Sequence, residues 1–499
     1  MSLLLLYAST ALARPDDGTG AWSYTDDDVL ATFDSAGGTA RVWYSTAGPN
    51  ATVLDDEDGT GVPDFVELVA ASTEAVLVFY ADHGFRSPIS DGARGGSAAM
   101  DVYLVDFALQ ADGMYAAETC TGTNPRQCSG YFLMENDFAG YGYSDLPTAI
   151  RVLTSHELFH AVQAAYDSNE EVWWAEGTAT WAEWAFDPGT EDFLWLVDAF
   201  LEDTERSLNE PPAEPAPAFA YGTALWWWFL ANRYGDGVIV ELLEATEADD
   251  NLLEDMETIE AARGGSLLDD WSTFTRWNLA TGSRSGLAES YPFANEVGPV
   301  KTTDRGETIT DDNRYYPLAA SYYELNHPGG NVWFALEADA PELTFSLHTE
   351  DEDGRVSDAI TTWQGQAAPL DLGELAAGEY MLVGTNATLA ENSTKVLTCL
   401  GSAETIAACA TGDTGGDTAD TGDTGGTDED TGATDTGEEK GGGCGCATGG
   451  GGDERVGCWR RRPHGVVQPT PTRHLELKDG RGEEGHRPRY ARPVDTTEH

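Results

Sequence analysis

Two histidines four residues apart, with a glutamate beside the first, stand in the run Arg151-Val152-Leu153-Thr154-Ser155-His156-Glu157-Leu158-Phe159-His160-Ala161-Val162-Gln163. On a helix that spacing brings both imidazoles to one face, about one turn apart. Zinc-assisted hydrolysis needs a cation held by three protein ligands, an open fourth position for water, and a carboxylate that takes the water's proton. His156 and His160 offer two ligands. Glu157 can reach the water without touching the metal, which suits a general base. The flanks Val152, Leu153, Leu158, Phe159, Ala161 and Val162 are apolar, as a buried helix requires, and Asp145 with Pro147 marks its start. A core helix with two satisfied histidines is the plainer alternative. Against it, two imidazoles and a carboxylate in an apolar stretch need partners to offset their desolvation.

The third ligand decides the subclass. A metzincin places histidine or aspartate ten residues after the first histidine, but here that position is Tyr166, and Gln163 replaces the accompanying glycine. The remaining candidates are Glu170, Glu171, Glu176 and Glu183. At 1.5 Å per residue the helix climbs about 9 Å from His160 to Tyr166, turns through Asp167-Ser168-Asn169, and descends about 6 Å from Val172, which returns Glu176 to the metal. Glu183 lies about 10 Å beyond Glu176 by the same rise, so both cannot ligate one ion.

The segment Trp173-Trp174-Ala175-Glu176-Gly177-Thr178-Ala179-Thr180-Trp181 resembles the Trp-x-x-Glu-Gly-x-Ala element of gluzincin-like peptidases. In those enzymes the glutamate of the Glu-Gly pair is the third zinc ligand. More closely, the run from the Asp/Gly-rich loop through Glu183 is similar to a group of secreted metallopeptidases of myxobacterial type. The resemblance covers roughly residues 40 to 280 and is concentrated in His156 to Trp181. The tryptophans at 173, 174, 181 and 184 read as core anchors. Tyr221, in Ala218-Phe219-Ala220-Tyr221-Gly222-Thr223, either packs at a helix start or donates to a tetrahedral oxyanion.

A second cation site is expected at Asp56-Glu57-Asp58-Gly59-Thr60-Gly61-Val62-Pro63-Asp64-Phe65-Val66-Glu67. Asp56, Asp58 and Thr60 take positions one, three and five of an EF-hand-type loop, Val62 offers its carbonyl at seven, and Asp64 and Glu67 fall at nine and twelve. Oxygen-only ligands select a hard cation, so structural Ca2+ is expected, with Zn2+ at the catalytic site. Thr60 and Pro63 depart from the usual loop, and an acidic turn capping a helix at Asp64 is the alternative.

The 499 residues carry 27 Lys plus Arg against 87 Asp plus Glu, a net charge of -60. Such a chain repels nucleic acid and anionic membranes. Leu3 to Ala8 followed by Ala11-Leu12-Ala13 reads as a signal peptide over residues 1–13, although no basic residue precedes its apolar run. No stretch is apolar enough to span a membrane. Of seven cysteines, Cys120 with Cys128 and Cys399 with Cys409 flank short loops, which predicts two local disulfides in an oxidising compartment. Neither pair has the two-residue spacing of a thiolate zinc knuckle.

Strand patterns near residues 21–50, 100–107 and 130–135, a helix over Asp64 to His83, and a nearly all-helical run from Leu146 to about Gly282 imply an α+β fold. The expectation is a zincin-like catalytic domain over residues 20–285, a small antiparallel sheet followed by a mostly helical subdomain. Alternating segments such as Val332-Trp333-Phe334-Ala335-Leu336 predict a β-sandwich over 300–410. Residues 411–450 form a Thr/Gly/Asp-rich linker too polar to fold, ending in a Cys-Gly-Cys element that resembles myxobacterial-type sorting signals. Residues 451–499 read as a disordered basic tail with the character of a frameshift.

Together these features describe a zinc metallopeptidase, secreted or on the surface of a bacterium, acting on protein or peptide substrates through metal-activated water. A monomer is expected. No Gly-x-Ser-x-Gly elbow points to a serine nucleophile. The alternatives are a non-catalytic, calcium-stabilised adhesin with a structural zinc site, and a zinc hydrolase of non-peptide amides.

Overall fold

The computed structural model describes residues 13–210, 216–247, 251–389 and 392–411. The expected leader up to residue 12, the acidic linker from 412, the Cys-Gly-Cys element and the basic tail lie outside the described residues.

The first layer is a five-stranded sheet. Its strands are β1 (Leu30–Asp34), β2 (Ala40–Ser45), β3 (Met100–Val105), β4 (Gly113–Thr121) and β5 (Gln127–Glu135), in the spatial order β1-β2-β3-β5-β4. The expected antiparallel sheet is corrected to a mixed one: β2, β3 and β5 run parallel, and only the outer pairs β1–β2 and β4–β5 are antiparallel. The cause is the connection between β2 and β3. Helix α1 (Asp64–Asp82) spans it as a crossover, and a crossover returns the chain in the same direction. Strand β4 forms a hairpin with β5 and lies at the edge of the sheet.

Helices follow: α2 (Leu146–Gln163), α3 (Val172–Phe186), α4 (Leu194–Leu201), α5 (Ala216–Gly222), α6 (Ala224–Tyr234), α7 (Gly237–Thr246), α8 (Leu252–Ala262) and α9 (Leu267–Leu279). Asp145 caps α2 as expected, its carboxylate accepting from the Thr148 amide at 2.7 Å. Helix α3 buries Trp173, Trp174 and Trp181; from α6, Trp227 packs on Trp173 and Trp174, while Trp226 packs on Trp271 and Phe274 of α9. At about 25 cal/mol per Å² and about 150–250 Å² per ring, each indole contributes about 4–6 kcal/mol before chain entropy is counted. The tryptophans at these positions are therefore anchors of the helical layer. No helix among the described residues is long and apolar enough to cross a membrane.

The remaining strands are β6 (Thr303–Asp304), β7 (Ile309–Tyr315), β8 (Ala319–His327), β9 (Gly330–Leu336), β10 (Ala340–Thr349), β11 (Thr361–Gly365), β12 (Leu370–Leu375), β13 (Gly378–Asn386) and β14 (Thr394–Gly401). They make one sheet ordered β11-β10-β13-β8-β6 and a second ordered β12-β9-β14-β7, with Phe334, Phe345, Leu347, Leu382 and Leu400 packed between them. The first sheet is apolar on both faces. Tyr323 and Leu325 point into the sandwich, while Ala320, Tyr322, Met381 and Val383 join the core that contains Trp271 and Phe274. The period-two alternation of strands allows one sheet to serve two cores. A final helix, α10 (Ala403–Thr411), is tied back to β14 by a disulfide between Cys399 and Cys409.

Candidate metal centre

Helix α2 presents His156 and His160 on one face, and α3 packs antiparallel to it across the short turn from Ala164 to Glu171. That turn is held from outside. The amide of Cys128 donates to the Ala164 carbonyl at 2.8 Å, the amide of Ser168 to the Arg126 carbonyl at 2.8 Å, and the amide of Arg126 to the Asp167 carboxylate at 3.0 Å. The tip of the β4–β5 hairpin that makes these bonds is closed by the expected Cys120–Cys128 disulfide. Seen from α3, Glu176 then faces the two rings.

Nε2 of His156 lies 3.2 Å from Nε2 of His160, and Oε2 of Glu176 lies 3.3 Å from the first and 3.6 Å from the second. Metal–ligand distances near 2.0–2.1 Å in a tetrahedral site place ligand atoms about 3.3 Å from one another, so the triangle fits a zinc ion. Oε2 of Glu176 is buried and has no hydrogen-bond partner among the described residues. Two imidazole nitrogens and a carboxylate oxygen converging this closely favour positive charge at their centre, carried by protons on the rings or by a metal ion. His156 and Glu176 are almost inaccessible, whereas the His160 side chain is 17% exposed, so solvent approaches from its side.

The charges are coupled. Burial opposes ionisation of Glu176, but His160 and His156 outweigh it and hold the carboxyl down at about 2. Burial also opposes charging of His156, which the carboxylates of Glu176 and Glu183 overcome, holding the imidazole well above its ordinary value. Burial pushes the Glu157 carboxyl up while both imidazoles pull against it. Burial raises Glu183 to about 7.

Glu183 does not join the triangle. Its Oε1 lies 2.7 Å from Nδ1 of His156, on the other edge of that ring, so it is placed to orient the imidazole and not to complete the triangle. Tyr221 stacks on His156 with ring centroids 5.5 Å apart, and its hydroxyl reaches Glu176. Burial, with Glu176 beside it, pushes that phenol well above its usual value.

Comparison with known families finds no match for this chain, and no curated protein matches it. Among solved structures, the pre-peptidase C-terminal domain of a collagenase from Bacillus anthracis is similar at 14% identity and TM-score 0.16, over 20% of this chain and 93% of that one. PliG, a periplasmic inhibitor of g-type lysozyme from Aeromonas hydrophila, is similar at 14% identity and TM-score 0.15, over 20% of this chain and 94% of that one.

Two glycines shape the centre. A Cβ at Gly177 would meet the Thr223 hydroxyl at 2.1 Å and Nε1 of Trp227 at 2.6 Å, so the residue after Glu176 must be small for α3 to seat on α6. A Cβ at Gly113 would meet Oε1 of Glu157 at 2.9 Å, which puts the start of edge strand β4 against that carboxylate. Beside it Asp112 is fully buried and accepts from the Tyr143 hydroxyl at 2.8 Å. Asp112, Gly113 and Tyr143 have no local feature in the sequence that links them to α2. Gln163, three residues after His160 on the same helix face, carried a signal that was available.

In the acidic loop, Asp56, Asp58 and Asp64 bring one oxygen each within 4.8 Å of one another. Thr60 and Glu67 meet each other instead, the hydroxyl donating to Oε1 at 2.8 Å and accepting from the Val62 amide at 3.3 Å. Asp56 accepts from the amides of Gly59, Thr60 and Gly61. The loop is exposed and its helix begins at Asp64.

Proposed function

We infer that this chain is a secreted zinc metallopeptidase of gluzincin type, cleaving protein or peptide substrates with Glu157 as general base. The convergence of Nε2 of His156, Nε2 of His160 and Oε2 of Glu176 within 3.2–3.6 Å carries the reading. A zinc ion held by these three atoms would supply Lewis acidity to a substrate carbonyl and lower the pKa of water toward neutrality.

The chain's own groups perform the proton traffic. Glu157 takes the proton of the attacking water and returns it to the leaving amine, a double role favoured by a carboxyl raised above its ordinary value. Strand β4 starts against Glu157 and lies at the sheet edge, so an extended peptide adding to that edge would pass the base. On this reading the helical layer and the sheet β1-β2-β3-β5-β4 would serve as a zincin-like catalytic unit. The acidic loop at 56–67 would hold structural calcium through Asp56, Asp58 and Asp64.

Hydrolysis of denatured casein by the full-length protein tests this reading. Activity should disappear with a chelator, return with zinc, and fall about 10²–10⁴-fold in Glu157→Gln while zinc stays bound. Casein hydrolysis indifferent to both the chelator and Glu157→Gln would refute it, and zinc bound without any hydrolysis would favour a non-catalytic binding protein.

A further inference from the structure

We propose that Gln163 is the positioning residue of this centre: one side-chain amide fixes which nitrogen of His160 faces the ligand triangle and ties the histidine helix to the helix that carries Glu176. The inference rests partly on the peptidase reading, since its zinc-affinity arm presupposes a metal at the triangle.

Gln163 ends α2 and is 4% exposed. Its Nε2 lies 2.8 Å from the Ala175 carbonyl and 2.8 Å from the Thr178 hydroxyl. A carbonyl can only accept. Thr178 spends its own hydrogen on the Trp174 carbonyl at 2.7 Å, so it also accepts from Gln163. The amide orientation follows from these two acceptors, and Oε1, which lies 2.8 Å from Nδ1 of His160, must be the acceptor there. Nδ1 of His160 therefore carries the hydrogen. In the neutral ring Nε2 is then the lone-pair nitrogen, aimed at the point shared with His156 and Glu176.

The same amide grips α3 at Ala175, immediately before Glu176, and at Thr178, two residues after it. Sliding or rotation of α3 that would withdraw Glu176 breaks the bonds that hold the His160 ring. The two histidines are thus oriented differently. His156 donates to a carboxylate on α3, whereas His160 donates to a neutral amide on its own helix that is anchored in α3.

The full-length protein labelled with 15N-histidine tests the first half, with the His160 signal assigned by its loss in His160→Gln. At a pH high enough for the His160 ring to be neutral, metal-free wild type is expected to show the Nδ1–H tautomer there, and Gln163→Met, similar in length but without the amide, is expected to lose that preference. Zinc competition against a chelator tests the second half. Gln163→Met should bind zinc about 10–100-fold more weakly than wild type, and Gln163→Glu, whose carboxylate again accepts from Nδ1, should recover part of the loss. A side chain that only filled space would lower the thermal midpoint in Gln163→Met and leave both readouts unchanged. An Nε2–H tautomer in wild type overturns the proposal whether or not the variants fold, and so does a folded Gln163→Met with wild-type zinc affinity. If wild type binds no zinc, the peptidase reading fails while the tautomer measurement still decides the role of Gln163.

Discussion

Glu183 lies 2.7 Å from Nδ1 of His156, on the opposite edge of the ring from Glu176, whose Oε2 is 3.3 Å from Nε2. One imidazole is thus held between two carboxylates of a single helix, seven residues apart. The nearer one fixes the tautomer and makes the ring a better donor to a metal. Glu183→Ala should weaken zinc binding about 10–100-fold without abolishing it, measured by chelator competition. Glu176→Ala removes a ligand and should cost more. Equal affinities for wild type and Glu183→Ala would show that the 2.7 Å contact does nothing for the metal.

The Cys120–Cys128 disulfide closes the hairpin tip that grips the α2–α3 turn. Replacing both cysteines with serine should lower stability by about 2–3 kcal/mol, from the entropy of a loop this short. Because Arg126 and Cys128 hold the turn that aims Glu176, zinc affinity should fall together with the midpoint of thermal unfolding. A stability loss with unchanged zinc affinity would show that the turn keeps its shape unaided.

How far these relationships could be read from the chain depends on their range. The histidine pair was legible because its spacing, apolar flanks and Asp145 cap are all local to α2. Glu176 followed from helix rise alone, since α2 and α3 are joined by a short turn. The strand pairing was not legible: β4 carries mixed polar and apolar residues, and the parallel neighbours β2 and β3 are separated by α1. Glu183 could be excluded as a ligand by the same arithmetic, but its contact with the far nitrogen of His156 depends on how two helices cross. Likewise Gly113 meets Glu157 only because β4 packs beneath α2, a contact with no trace in either segment.

A pH test is provided away from the centre by Glu260. Its carboxyl is buried, and burial, with the Asp270 carboxylate beside it, raises it to about 9. The folded chain keeps this proton to about pH 9, whereas the unfolded chain releases it near the ordinary carboxyl value. The unfolded state therefore binds fewer protons across that window, and stability falls as pH rises through it. Glu260→Gln should flatten this slope, which for one proton retained by the folded chain amounts to about 1.4 kcal/mol per pH unit. Denaturant midpoints at pH 6 and pH 8 would check it, and an unchanged slope in the variant would show that Glu260 ionises normally.

X-ray absorption at the zinc edge of the zinc-loaded full-length protein tests the central claim most directly, because it reports the atoms around the ion. Two imidazole nitrogens and carboxylate oxygen at about 2.0–2.1 Å, with the carboxylate contribution lost in Glu176→Ala, is the predicted result. Sulfur at about 2.3 Å, or a wild-type spectrum unchanged by Glu176→Ala, would contradict it.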